Sequence, residues 1–172
     1  MHEDTVGIKQ RTRWTHTFCV AVMVAGCFMP GIARAEFNYK RYRPYSLAQA
    51  IADHTHAEEA DWVIAAGSFK YRVRVTHTGQ QRDIKGSVRQ LIANWVKSLD
   101  LNPKLLDLFK QEILVREDGR QYWLPIQEQL LQHVAREVRT GDPVDLYIMR
   151  VGSTKTESVF IINEFQARRV TK

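Results

Sequence analysis

The chain has 172 residues, 44% of them hydrophobic and 26% charged, a composition that suits one globular domain and excludes a disordered chain. Of its formal charge of +6, residues 1–35 supply Lys9, Arg11, Arg13 and Arg34 against Glu3 and Asp4, leaving +4 for the remainder. That field is too weak for a dedicated nucleic-acid binder, so no specific nucleic-acid partner is expected.

Residues 1–35 read as a cleavable secretory signal peptide. Lys9, Arg11 and Arg13 form a basic start, and Phe18–Met29 is an apolar run shorter than the about 20 residues a spanning helix needs. Pro30 and Gly31 break the run, and Ala33-Arg34-Ala35 places small residues where a signal peptidase reads them. A second reading stays open: Val24-Ala25-Gly26-Cys27 resembles the lipobox of bacterial lipoproteins, which implies lipidation of Cys27 and a membrane-anchored product. Both cysteines, Cys19 and Cys27, lie in this leader, so cleavage after Ala35 leaves a product without disulfides. A small exported domain without disulfides points to the bacterial periplasm or to secretion.

Residues 36–45 read as a basic and aromatic linker, with Lys40, Arg41 and Arg43 set among Tyr39, Tyr42 and Tyr45. The same residues suit contact with an acidic surface. Ser46 caps a helix expected from Leu47 to about Glu59. That helix carries His54, His56 and Glu58, the densest set of metal-ligand types. On a helix only His54 and Glu58 share a face, and there is no HExxH motif, so a solvated helix end is expected, without metal or cofactor.

Two strands are expected next, Trp62–Ala66 and Phe69–Thr76. In the second, Phe69, Tyr71, Val73 and Val75 alternate with Lys70, Arg72, Arg74 and Thr76, giving one core face and one basic stripe. The stripe suits carboxylates or phosphates, and it equally suits an edge strand kept soluble by charge. Val88, Leu91, Ile92, Trp95, Val96 and Leu99 then fall at helical spacing, and Asn102-Pro103 is a helix-start signal. Ile113–Glu117 and Arg120–Leu124 flank Asp118-Gly119, a strong hairpin signal. Pro125 is read as opening a helix through Ile126, Leu130, Val134 and Val138 that Gly141 closes. Val144–Val151 and Val159–Phe165 make a last strand pair, the second apolar on both faces at Val159–Ile162 and therefore central.

The order α-ββ-αα-ββ-α-ββ predicts a single α+β domain over 46–172, a mostly antiparallel sheet with helices packed on one side. Trp62, Trp95 and Trp123 are placed on core faces. Glu164, near Ile162 and beside Phe165, is the carboxylate best set for burial and is expected to pair with Arg150. His77 and His133 stand alone, and no nucleophile elbow or phosphate loop occurs. The expected function is therefore a non-catalytic cell-envelope protein, an accessory or assembly factor that binds a protein or anionic polymer. Lys70, Arg72, Arg74, Lys40, Arg41 and Arg43 are its candidate contacts. A peripheral membrane surface is a further partner class, and a small envelope hydrolase using a Glu or Asp with a His is the alternative activity.

Overall fold

The computed structural model describes residues 37–54, 62–65, 67 and 69–168. The leader with Ala33, Ala35 and Cys27, and the ligand candidates His56 and Glu58, lie outside these residues.

Among the described residues seven strands form one sheet: β1 (Arg43–Pro44), β2 (Trp62–Ile64), β3 (Lys70–Asp83), β4 (Gln111–Glu117), β5 (Arg120–Ile126), β6 (Pro143–Thr154) and β7 (Ser158–Ala167). The same residues hold the α-helices α1 (Leu47–Ala52), α2 (Gly86–Ser98) and α3 (Glu128–Glu137), with short 3-10 turns at Tyr39–Arg41 and Pro103–Leu108. The strands run in the order β1-β3-β4-β5-β7-β6-β2, and an additional pairing of β3 with β6 closes the middle five into a barrel. Four of the five seams are antiparallel, while β5 meets β7 in parallel at Ile126 and Ile162. With α3 between the third and fourth barrel strands, this is the connectivity of an OB-type Greek-key barrel. That architecture hosts many functions and assigns none.

This corrects the expected open sheet with helices on one side. The difference lies in β3, whose expected span ends at Thr76. It runs on to Asp83, pairing with β6 through residues 70–76 and with β4 through 76–83, with an irregularity between His77 and Gln81. Gly79 there takes a φ of +78°, which glycine adopts without penalty. A Cβ would also sit 2.3 Å from Thr140 Oγ1. A bulge bends the strand and raises its twist, so one strand can serve two neighbours and the sheet can close.

The barrel interior is filled by alternate residues of every strand, Tyr71, Val73 and Val75 from β3 and Leu146, Ile148, Phe160 and Ile162 from β6 and β7 among them. Leu47 and Ala50 of α1 join this core from the end marked by the β4–β5 turn, and Leu130 and Val134 of α3 join it from the other. Glu117 fixes α1 in place: its two carboxylate oxygens accept the Leu47 and Ala48 amides at 2.8 Å each, satisfying two of the donors that a helix start leaves open. Ser46 caps the same helix by accepting from the Gln49 amide. The Asp118-Gly119 turn has positive φ at both residues, as a two-residue hairpin requires.

A second core lies outside the barrel. Val88, Leu91, Ile92, Trp95 and Val96 of α2 pack on Val151, Val159 and Ile161, so β6 and β7 are apolar on both faces. Pro125, expected at a helix start, instead lies one residue before the end of β5, opposite Glu112. On its other side β5 meets β7 only at Ile126, so the missing proline N–H costs no ladder bond.

Candidate functional site

Lys70, Arg72 and Arg74 project outward from β3, because their neighbours Tyr71, Val73 and Val75 enter the barrel core. Across the seam with β6 they sit opposite Met149, Tyr147 and Asp145. Arg74 Nε donates to Asp145 Oδ1 at 2.9 Å, yet 63% of the arginine side chain stays exposed. Asp145 itself is 1% exposed and also accepts from Arg168 Nε at 3.0 Å. Burial raises the Asp145 pKa, but the two guanidinium groups outweigh it and hold the carboxyl below its ordinary value. Arg72 lies at the Tyr147 hydroxyl and lowers its pKa, while burial of Tyr147 is larger and leaves it raised. Tyr147 donates to Gln166 Oε1 at 2.8 Å.

The stretch expected as a linker is ordered against this face. Phe37, Tyr39 and Tyr42 each set a ring against Tyr147, with centroids 5.7, 4.8 and 5.4 Å away. Lys70 Nζ lies 5.9 Å from the Tyr42 ring centroid, within cation–π range. Asn163 donates to the Tyr42 hydroxyl, and burial raises the pKa of that hydroxyl. Lys40 and Arg41 stand exposed on the 3-10 turn beside Tyr39.

Arg43 is set apart from the row. It lies in register with Tyr71, an inward residue, whereas its neighbour Pro44 is in register with outward Arg72. Successive residues point to opposite sides of a strand. The structure thus brings Lys40, Arg41, Lys70, Arg72 and Arg74 to one region and leaves Arg43 on the far side of β1.

His54 follows α1, where its Nε2 is 3.0 Å from the Tyr71 hydroxyl. Among the described residues no three His, Cys, Asp or Glu side chains gather as a metal site. His77 is buried and its pKa is lowered by that burial, with Asp142 opposing. His133 lies on the surface between Glu137 and Arg136. Glu164 does not pair with Arg150: its Oε1 accepts the neighbouring Phe165 amide, and Arg150 instead donates to Ser153. The two are separated because β6 directs Arg150 to the register of Phe160, while Glu164 sits opposite Tyr147 on the outer face.

Of the tryptophans, Trp95 is buried in the α2 core, but Trp62 is 44% exposed on β2. Trp123 lies under Arg82, whose guanidinium carbon is 4.0 Å from the ring centroid. Arg82 also donates to buried Glu112 at 2.7 Å. The chain matches no family model, no curated protein and no solved structure.

Proposed function

We propose that this chain is an exported, non-catalytic protein of the bacterial cell envelope that binds an acidic protein segment or an anionic polymer along the outer face of β3. The observation that carries the reading is the row Lys70, Arg72 and Arg74, outward on one strand and flanked by exposed Lys40 and Arg41. Side chains two apart on a strand point the same way, so the row spans about 13 Å. A linear array of carboxylates or phosphates matches that length better than one small anion does. Tyr39 adds an exposed ring at the edge of the row, and the filled barrel interior favours recognition on the surface.

The binding test uses poly-L-glutamate as the probe, titrated calorimetrically at low and high salt. The chain should bind it at low salt and release it as salt screens the exposed charges. Replacing Lys40, Arg41, Lys70 and Arg72 by serine should abolish binding and leave the unfolding midpoint nearly unchanged. Arg74 is kept in that variant because it holds buried Asp145. Full affinity in the quadruple variant would show that the row only protects the sheet.

Export rests on the order of basic, apolar and small residues in 1–35. The compact unit begins at Phe37, next to the expected first residue of the product, Glu36. N-terminal sequencing of the secreted or periplasmic product should read Glu36, and a lipid-modified Cys27 would replace this with an anchored form.

A further inference from the structure

Arg150 lies at the end of the barrel that α1 covers, on the inner side of the wall and therefore away from the outward row. It is 7% exposed. Its Nη2 donates to Ser153 Oγ at 2.8 Å, and its Nε is buried with no partner among the described residues. Elsewhere Arg74 and Arg168 both meet Asp145, and Arg82 meets Glu112, each within ion-pair distance of a buried carboxylate. Arg150 has none among the described residues.

Around it stand polar and aromatic groups. The rings of His54, Tyr71 and Phe160 lie within 6.4 Å of one another, centroid to centroid. His54 Nε2 meets the Tyr71 hydroxyl, and Ser158 Oγ donates to the His54 carbonyl. Burial lowers the His54 pKa most, the Arg150 charge lowers it further, and Asp53 opposes both. A guanidinium cannot shed its proton near neutral pH, and a buried cation without a counter-charge costs several kcal/mol. Such a cost is relieved by an anion that the guanidinium can grip through charge-assisted hydrogen bonds.

We infer that Arg150, with Ser153, His54 and Tyr71 around it, forms a binding site for an oxyanion, a carboxylate or phosphate group, at this end of the barrel. The site is independent of the β3 row, since no residue is shared between them, and each can fail without the other.

His54 reports on the site. In the full chain, the imidazole Cε1–H signal of His54 is followed by NMR against pH in acetate, phosphate or chloride at matched ionic strength. An oxyanion at Arg150 cancels the repulsion, so the His54 pKa should rise by about half a unit or more in phosphate or acetate relative to chloride. A response to phosphate alone assigns a phosphate site, and a response to both assigns a general carboxylate or phosphate site. The unfolding midpoint should rise with the same anions, as it does for any ligand of the folded state. Arg150→Met should remove both responses and leave His54 already raised. Should that variant fail to fold, Arg150→Lys keeps the charge and should weaken both responses without erasing them. A His54 pKa that is the same in all three salts overturns the inference. So does a rise in both acetate and phosphate that Arg150→Lys leaves at full strength.

Discussion

Asp145 and Glu112 are both buried acids on barrel strands, and both are paired, yet they titrate in opposite directions. Asp145 accepts from two arginines, and its pKa is pulled below the ordinary value although burial acts against this. Glu112 has one arginine, and burial dominates, so its pKa is raised. An acid with a depressed folded pKa stabilises the fold above its unfolded value, near 3.9 for Asp, and that contribution is lost as pH falls through the folded value. Glu112 has the opposite sign: its contribution is present below the ordinary Glu value and fades as pH rises through its folded value. Asp145→Asn should therefore flatten the loss of stability below about pH 4, read from urea midpoints across the acid range. At neutral pH the same variant leaves Arg74 and Arg168 about half exposed or more. It should cost on the order of 1–2 kcal/mol. Replacing both arginines by serine leaves the carboxylate buried and unpaired and should cost more, about 3–5 kcal/mol. Equal costs for the two changes would mean that solvent reaches Asp145 freely.

Local periodicity made most elements legible. Of the stripe read from Val88 to Leu99, Val88 to Val96 form the buried face of α2, while Leu99 caps the helix and is exposed, and the Asp118-Gly119 hairpin lies where its signal placed it. Ser46 caps α1, although that helix ends at Ala52. Other features depend on pairing between distant segments and leave no local pattern. Thr78-Gly79 reads as a turn, but inside a strand that must bend toward two partners the same glycine forms a bulge. β5 and β7 pair in register only at Ile126 and Ile162, and no local pattern in either segment announces that meeting. The candidate site was half legible for the same reason. Alternation placed Lys70, Arg72 and Arg74 on one face, but it could not show that β6 sets Asp145 and Tyr147 beside them. The best-defined element offers the clearest stability test. Trp95 is 7% exposed and packs in the core that α2 shares with Val151, Val159 and Ile161. Trp95→Ala should lower stability by about 3–5 kcal/mol, measured as a shift in denaturant midpoint. A shift under about 1 kcal/mol would mean that α2 is held by its other contacts and that the outer core tolerates a large void.

At the scale of the whole molecule, the barrel wall is exposed to water wherever nothing covers it, and among the described residues two separate segments cover parts of it. α2 shields the sector around Val151 and Ile161, while residues 37–45 shield the sector around Tyr147 through three aromatic rings. The second cover is short, but it is anchored at several points. The Tyr45 amide donates to the Arg72 carbonyl, β1 pairs with β3, and Tyr45 stacks on Tyr71 at 5.2 Å. It also carries Lys40, Arg41 and Tyr39, so the same ten or so residues contribute both to stability and to the proposed binding face. A chain that begins at Ser46 should therefore be less stable than one that begins at Glu36. Exposing Tyr147 and losing Tyr42 should cost about 2–4 kcal/mol, in line with uncovering one or two large side chains. Binding to poly-L-glutamate should weaken in parallel, because Lys40 and Arg41, the two cations the segment adds to the binding face, leave with it. Comparing the two chains by urea unfolding, and then by titration below the unfolding midpoint, separates these effects. If the shorter chain unfolds at the same urea concentration, residues 37–45 behave as a tether, and Tyr147 is shielded by something other than these rings.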